Sequence, residues 1–230
     1  MGTEKLTEVL THAHGVLFDF DGPLCDVFAG RPAPQVAKEL TELALSREPE
    51  LAEQLHATDD PIEVLRLSHA ANADLGHEVE RALTAAEVEA VAVAGDPTPG
   101  GVAALEAARE AGRSIAVVSN NSADCVRAFL NRHGLSGHVL EIVGRADRQP
   151  DLMKPNPHSL ITAAQKLGID VTRCVLIGDS LTDIQAAHTI GAAAIAYANK
   201  PHKHELFESA GADAVIEAMQ SIAEALQKTA

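Results

Sequence analysis

The chain is expected to be an α/β protein, a doubly wound parallel sheet with an α-helical cap inserted after its first strand. Three observations lead there. From about residue 101 onward, short continuous apolar runs alternate with segments of helical period, most of which stop at a glycine. Residues 34–93 read as helix throughout, with no strand pattern. Two Gly/Pro-rich connections, 28–34 and 94–101, bracket that helical stretch. The expected division is an α/β core of 1–28 and 96–230 and a helical cap of 29–95.

Residues 1–14 are expected to form a loose lead-in, with Leu6, Val9 and Leu10 giving a weak amphipathic turn. Gly15 to Phe18 is a short buried strand that ends in the acids Asp19 and Asp21 and breaks at Gly22-Pro23. In the helical stretch, Val36, Leu40 and Leu43 recur at helical spacing, as do Leu51 and Leu55. Asp60-Pro61 supplies an N-cap and a first-turn proline, and Gly76 is expected to interrupt the helix that follows. Val79, Leu83, Ala86 and Ala90 mark one more helical face. Helices over 101–111, 122–133, 157–167 and 180–190 then alternate with strands over 114–119, 139–143, 174–177, 192–197 and 214–216, before a C-terminal helix.

Composition narrows the function. With 230 residues and 46% hydrophobic content the chain can bury a sizeable core. A net charge of −15 argues against nucleic acid or an anionic membrane as partner, because both demand a basic face. Five Phe, one Tyr and no Trp leave few stacking platforms for bases. No apolar run is long enough to span a membrane, the N-terminus lacks a signal-peptide core, and Leu6 stands where a myristoylation signal wants Ser or Thr. Cys25, Cys125 and Cys174 form no CxxC pattern, so a reduced, cytoplasmic setting is expected and the Asn120-Asn121-Ser122 sequon reads as coincidence. His12 and His14 read as solvated side chains rather than ligands, and His202-Lys203-His204 as a polar loop rather than a second metal site.

In parallel sheets of this kind, ligands bind outside the carboxyl ends of the strands. Those ends carry Asp19 and Asp21, then Ser119-Asn120, then Gly178-Asp179-Ser180 with Asp183 in the next helix. Lys154 sits between the third and fourth strands in a proline-stiffened loop. Each alone has an ordinary explanation: a turn, an N-cap, favourable charge at a helix start, a surface lysine. Together they place four carboxylates, a hydroxyl and an ammonium at one sheet edge. Clustered carboxylates need a hard cation, and oxygen-only ligands favour Mg²⁺. A hydroxyl beside free helical N–H groups, with a lysine, suits phosphate. One carboxylate can attack phosphorus while another two residues away shuttles a proton, which is phosphoryl transfer from a monoester.

The four motifs Asp19-Phe20-Asp21-Gly22, Ser119-Asn120, Lys154-Pro155 and Gly178-Asp179-Ser180 with Asp183 resemble, in order, those of the haloacid dehalogenase-like superfamily. The chain looks like its phosphatase branch with a helical cap, near phosphoglycolate phosphatases and β-phosphoglucomutases. The resemblance implies that Asp19 is the nucleophile forming an aspartyl-phosphate, and that Asp21 protonates the leaving oxygen and then activates water. It implies that Ser119 binds the phosphoryl group and that Lys154 neutralises it and holds Asp19. Mg²⁺ would sit between Asp19, the main-chain carbonyl of Asp21 and Asp179, with Asp183 supporting it directly or through water. Pro23 stands where the family usually has Thr, which puts the geometry of that loop in question.

The function expected is a Mg²⁺-dependent phosphatase acting on a small-metabolite phosphomonoester. Arg31 in the linker is the first candidate for substrate contact with Asn120, followed by His56 and His69 in the cap. A sugar phosphomutase shares the core motifs and stands as the alternative enzyme. A catalytically silent binder of a phosphorylated ligand is the alternative from another class. An acid at Asp21 argues against carbon–halogen hydrolysis, because halide departure needs no proton.

Overall fold

The structure, a computed structural model, describes residues 2–228. Its centre is an all-parallel sheet of β1 (Gly15–Phe18), β2 (Ser114–Val118), β3 (Glu141–Val143), β4 (Cys174–Gly178), β5 (Ala193–Tyr197) and β6 (Ala214–Ile216). The spatial order is β3-β2-β1-β4-β5-β6. The chain therefore winds outward one way from β1 and then returns to wind outward the other way. The switch point lies between β1 and β4, where such sheets open a crevice.

Alternation along the strands feeds two apolar layers. Val16 and Phe18 point to one side with Ile115, Val117, Val175 and Ile177. On that side pack α1 (Gly2–His12), α6 (Gly101–Glu110), α7 (Ala123–Arg132) and α11 (Gln220–Leu226). Leu17, Ala116, Val118 and Leu176 face the other way, covered by α8 (His158–Leu167), α9 (Leu181–Thr189) and α10 (Lys203–Ser209). Helices on both faces are what continuous apolar strands require.

Between β1 and β2 the chain passes through α2 (Ala33–Leu45), the short α3 (Ala52–Leu55), α4 (Pro61–Ala71) and α5 (Ala73–Val93). These helices close around a core of their own that includes Val36, Leu40, Leu55, Val64, Leu65, Val79 and Leu83. Asp60 caps α4 by accepting from the Ile62 N–H at 2.8 Å, with Pro61 in the first turn. The long α5 belongs to two cores. Leu75 to Ala86 face the helical one, whereas Ala90 and Val91 lie in the main one.

Three expectations need correction. The lead-in is a helix, α1, whose Leu6 and Leu10 are buried against the main core, so its weak amphipathic face is a packing face. The break between α4 and α5 falls at Asn72, whose side chain accepts from Asp74 N–H, and not at Gly76. Gly76 is a helical residue whose missing side chain lets α5 cross α4, since a Cβ there would stand 2.6 Å from His69 Cα. The strand expected over 139–143 shrinks to β3. Residues Ser136–His138 form a 3₁₀ turn, and Leu140 is largely exposed at the sheet edge.

Candidate active site

β1 ends by handing the Asp19 N–H to the Ile177 carbonyl, which carries the ladder one residue past the strand. Asp19 is buried. Its Oδ1 accepts from the Phe20 N–H and from Lys154 Nζ, each at 2.8 Å. The chain then turns at Gly22, whose φ of +97° a side chain would resist. A Cβ at Gly22 would stand 2.5 Å from Asp179 Cγ, so the absence of one lets the two acidic loops meet. The turn closes through Gly22 N–H to Cys25 O and through the Leu24 and Cys25 N–H groups to Phe20 O. None of these bonds needs a donor at residue 23, so the turn closes with Pro23 in place. Asp21 Oδ1 accepts from the Val27 N–H at 3.0 Å.

Ser119 follows β2 and is almost fully buried. Its hydroxyl donates to Asn121 Oδ1 and accepts from the Asn121 N–H, both at 3.1 Å. Asn120 is tied to the lysine loop reciprocally. Its Oδ1 accepts from the Lys154 N–H at 2.8 Å, and its Nδ2 donates to the Lys154 carbonyl at 3.2 Å. Lys154 is thus placed by its backbone, and its buried Nζ bridges Asp19 Oδ1 and Asp183 Oδ1, the latter at 2.6 Å. Asp183 is locked in a capping box at the start of α9. Its Oδ2 accepts from the Ser180 N–H and hydroxyl at 3.0 and 2.7 Å. Both its oxygens accept hydrogen bonds, and through one of them Asp183 orients Lys154.

Asp179 is gripped from outside by residues the sequence did not single out. Lys203 Nζ donates to its Oδ2 at 2.8 Å and to its carbonyl at 2.7 Å, and Asn199 Nδ2 donates to the same Oδ2 at 2.9 Å. Lys203 and His204 are not in a polar loop, as expected from the sequence, but open α10. His204 pairs with Glu208 and Glu217.

Electrostatics follows burial. Burial raises the Asp19 carboxyl well above the usual range, and Asp183 and Asp179 add to this while Lys154 opposes it. Burial also lifts Asp21 to about 6. For Lys154, burial works against the charged form, yet Asp183 and Asp19 hold it above the ordinary lysine range, so it remains an ammonium. Carboxylate oxygens of Asp19, Asp179 and Asp183 lie within 4.8 Å of one another. An all-oxygen set at that spacing fits a small hard cation, and the Asp179 oxygen not held by Lys203 and Asn199 is free for it.

These groups line a cleft of about 520 Å³ between the sheet edge and the helical segment. Asp19, Asp21, Ser119, Asn120, Lys154 and Asp179 form its floor. Phe28, Pro34, Asp59, Ile62 and Arg66 form the opposite wall. Arg31 is not among the lining residues, and this corrects its selection as a substrate contact. Its guanidinium is held at 2.5 Å by both Glu39 and Glu89 on the helical surface. The helical cation that does reach the cleft is Arg66, whose Nη2 donates to the Lys154 carbonyl at 3.2 Å. It went unnoticed because nothing in the sequence marks which face of α4 turns to the sheet. His56 lies outside the cleft lining, as does His69, which packs where α4 crosses α5. His12 is exposed, and exposed His14 sits against Arg173.

Comparison with known proteins agrees with this geometry. A phosphoglycolate phosphatase of Neisseria meningitidis is 30% identical over 206 residues, covering 81% of this chain and 80% of its own. A plasmid-borne phosphoglycolate phosphatase of Cupriavidus necator is 28% identical over 189 residues, covering 80% and 71%. The crystal structure of CbbY from Rhodobacter sphaeroides in complex with phosphate superposes with a TM-score of 0.64 at 22% identity, covering 90% of this chain and 95% of that one. The family model for haloacid dehalogenase-like hydrolases matches residues 13–191, which span both acidic loops, Ser119 and Lys154; the chain belongs to that family and is a hydrolytic enzyme.

Proposed function

We propose that the protein is a Mg²⁺-dependent phosphatase that hydrolyses a small phosphomonoester through an aspartyl-phosphate. The observation that carries this reading is the buried Lys154 ammonium, joined to Asp19 and Asp183 on the floor of a cleft that also holds Asp21 and Ser119. In this reading 29–95 is the cap and the remainder the catalytic core. The phosphatase relatives support the substrate class, and the enclosed floor supports the chemistry.

The steps follow from the residues. An Asp19 oxygen attacks phosphorus, and the P–O bond to the leaving group breaks. Asp21, whose raised pKa lets it carry a proton near neutrality, delivers that proton to the departing oxygen. Ser119 and Lys154 meet the charge on the phosphoryl oxygens. Asp21, now a carboxylate, takes a proton from water, whose oxygen attacks the phosphorus of the acyl phosphate and returns Asp19. Asp19, the Asp21 carbonyl and Asp179 would hold Mg²⁺, which would supply positive charge to lower the repulsion between a carboxylate and a phosphate dianion. The Arg66 guanidinium opposite this floor favours a substrate whose leaving group is itself anionic, such as a short phosphorylated hydroxy acid like phosphoglycolate. Three buried free cysteines support a reducing compartment.

The test is phosphate release from an aryl phosphate and a panel of metabolite phosphates, with Mg²⁺ and with EDTA, in wild type and Asp19→Asn. Mg²⁺-dependent release that disappears in the variant is expected. Residual turnover within tenfold of wild type removes Asp19 from its role. Isomerisation of a sugar phosphate without net phosphate release replaces the phosphatase with a mutase.

A further inference from the structure

Among the described residues, one buried charged cluster plays no part in the reaction above. Glu87 of α5 is fully buried and Arg145, in the loop after β3, nearly so; their side chains meet at 2.9 Å. Glu80 joins the guanidinium at 3.3 Å. Burying such charges is costly, and cores are commonly as stable with apolar residues in their place. What distinguishes Glu87 is where its remaining bonds go. Oε2 accepts from the Ser122 N–H at 2.9 Å, and Oε1 accepts from Asn121 Nδ2 at 3.2 Å. Arg145 Nη1 donates to the Asn120 carbonyl at 2.9 Å. The pair therefore holds three consecutive residues of the loop after β2, and Asn121 in turn holds the Ser119 hydroxyl at 3.1 Å.

Glu87 also stands at a joint. The α5 residues before it pack in the helical core, and those after it pack in the main core. Beyond it, Arg132 of α7 donates to the carbonyls of Val91 and Ala94, which bolts the end of α5 to the sheet side.

We propose that Glu87, braced by Arg145, is a positioning residue that sets the Ser119 hydroxyl through Asn121, so that phosphate binding depends on how α5 is seated against the core. The inference rests on Ser119 being a phosphate-binding group. Glu87 removes the rotational freedom of the Asn121 amide, which fixes where Ser119 Oγ points.

The experiment compares wild type with Glu87→Gln, with the apolar pair Glu87→Leu/Arg145→Met, and with Glu80→Gln. Glu80 shares Arg145 but bonds Arg148 N–H instead of the Ser119 loop, so it serves as the structural control. Inorganic orthophosphate is the probe, read as a competitive inhibition constant alongside KM, kcat and melting temperature. The first two variants are expected to raise the orthophosphate constant and KM about tenfold, the worth of one hydrogen bond. Glu80→Gln is expected to change them less than threefold. Adding Asn121→Ala to Glu87→Gln should cost little beyond either alone, because both cut the same link. Unchanged constants in Glu87→Gln and in the apolar pair, an equal rise in Glu80→Gln, or fully additive losses overturn the inference. A wild type that neither turns over phosphate esters nor binds orthophosphate overturns the reading of Ser119 itself, and this one with it.

Discussion

Asp183 Oδ1 lies 2.6 Å from Lys154 Nζ, and both side chains are buried. The same ammonium reaches Asp19 Oδ1 at 2.8 Å, so Asp183 steers the group that steers the carboxylate proposed as nucleophile. Asp183→Asn keeps the shape and removes the charge. It is expected to lower kcat about 100-fold, with a smaller effect on KM, because placement within the floor is what changes. A melting temperature lowered by several degrees should accompany it, as Lys154 keeps only one charged partner. Steady-state kinetics and a thermal melt check both, and a kcat within threefold of wild type contradicts the role.

Asp21 gives a pH signature. Its carboxyl titrates near 6 when folded, against 3.8 unperturbed, so between those values the folded state holds more protons than the unfolded one. Stability of the metal-free protein therefore falls as pH rises from about 4 to above 6, by roughly 2 to 3 kcal/mol from this group. Asp19 is shifted in the same direction and deepens the trend. Asp21→Asn should stabilise the metal-free protein at pH 8 by about 2 kcal/mol while abolishing turnover. Mg²⁺ should raise the melting temperature more at pH 8 than at pH 5, because it needs the carboxylates deprotonated. Denaturant unfolding in EDTA at the two pH values decides it.

Arg66 and Arg31 make opposite predictions. Arg66 lines the cleft, so Arg66→Gln should raise KM about tenfold or more for a phosphorylated carboxylic acid and leave an aryl phosphate with an uncharged leaving group nearly unaffected. Arg31 is spent on Glu39 and Glu89 at the surface, so Arg31→Gln should leave both KM values unchanged. Equal losses on the two substrates would remove Arg66 from recognition of the leaving group.

Leu10 tests the N-terminal helix. It is fully buried in the main core, so Leu10→Ala should cost about 2 to 4 kcal/mol in urea unfolding with no change in KM. A cost below about 0.5 kcal/mol would return residues 2–12 to a loose lead-in.

The legible parts were those whose cause is local. Continuous apolar runs, helix-ending glycines and an Asp-Pro start announce themselves within a few residues, and five of the six strands lie within one residue of where the pattern puts them. That Asp19, Asp21, Ser119, Lys154 and Asp179 would gather in one cleft was legible because strand ends of a parallel sheet share an edge. The rest depended on contacts between distant segments. Whether Arg31 or Arg66 meets the floor is settled by which face of a helix turns inward, and Glu39 and Glu89 lie 8 and 58 residues from Arg31. Lys203 gains its meaning only when the start of α10, which follows β5, comes beside Asp179. Gly76 looked like a break because glycine ends helices more often than it lets two of them touch.

The sheet order has a consequence for how the protein is made. Of the described strands β1 is the first to be synthesised and one of the two central ones, paired with β2 on one side and β4 on the other. Its first neighbour is synthesised only after the whole helical segment, and its second only after β3 and α8. Until β2 is made, Val16, Leu17 and Phe18 are an apolar segment with both edges unpaired, and one edge stays open until β4, the kind of surface that invites aggregation or a chaperone. The helical segment can close its own core in the meantime, whereas Asp19 and Asp183 meet only near the end. A nascent chain arrested before β4 should hold a folded helical segment without the acidic cleft floor.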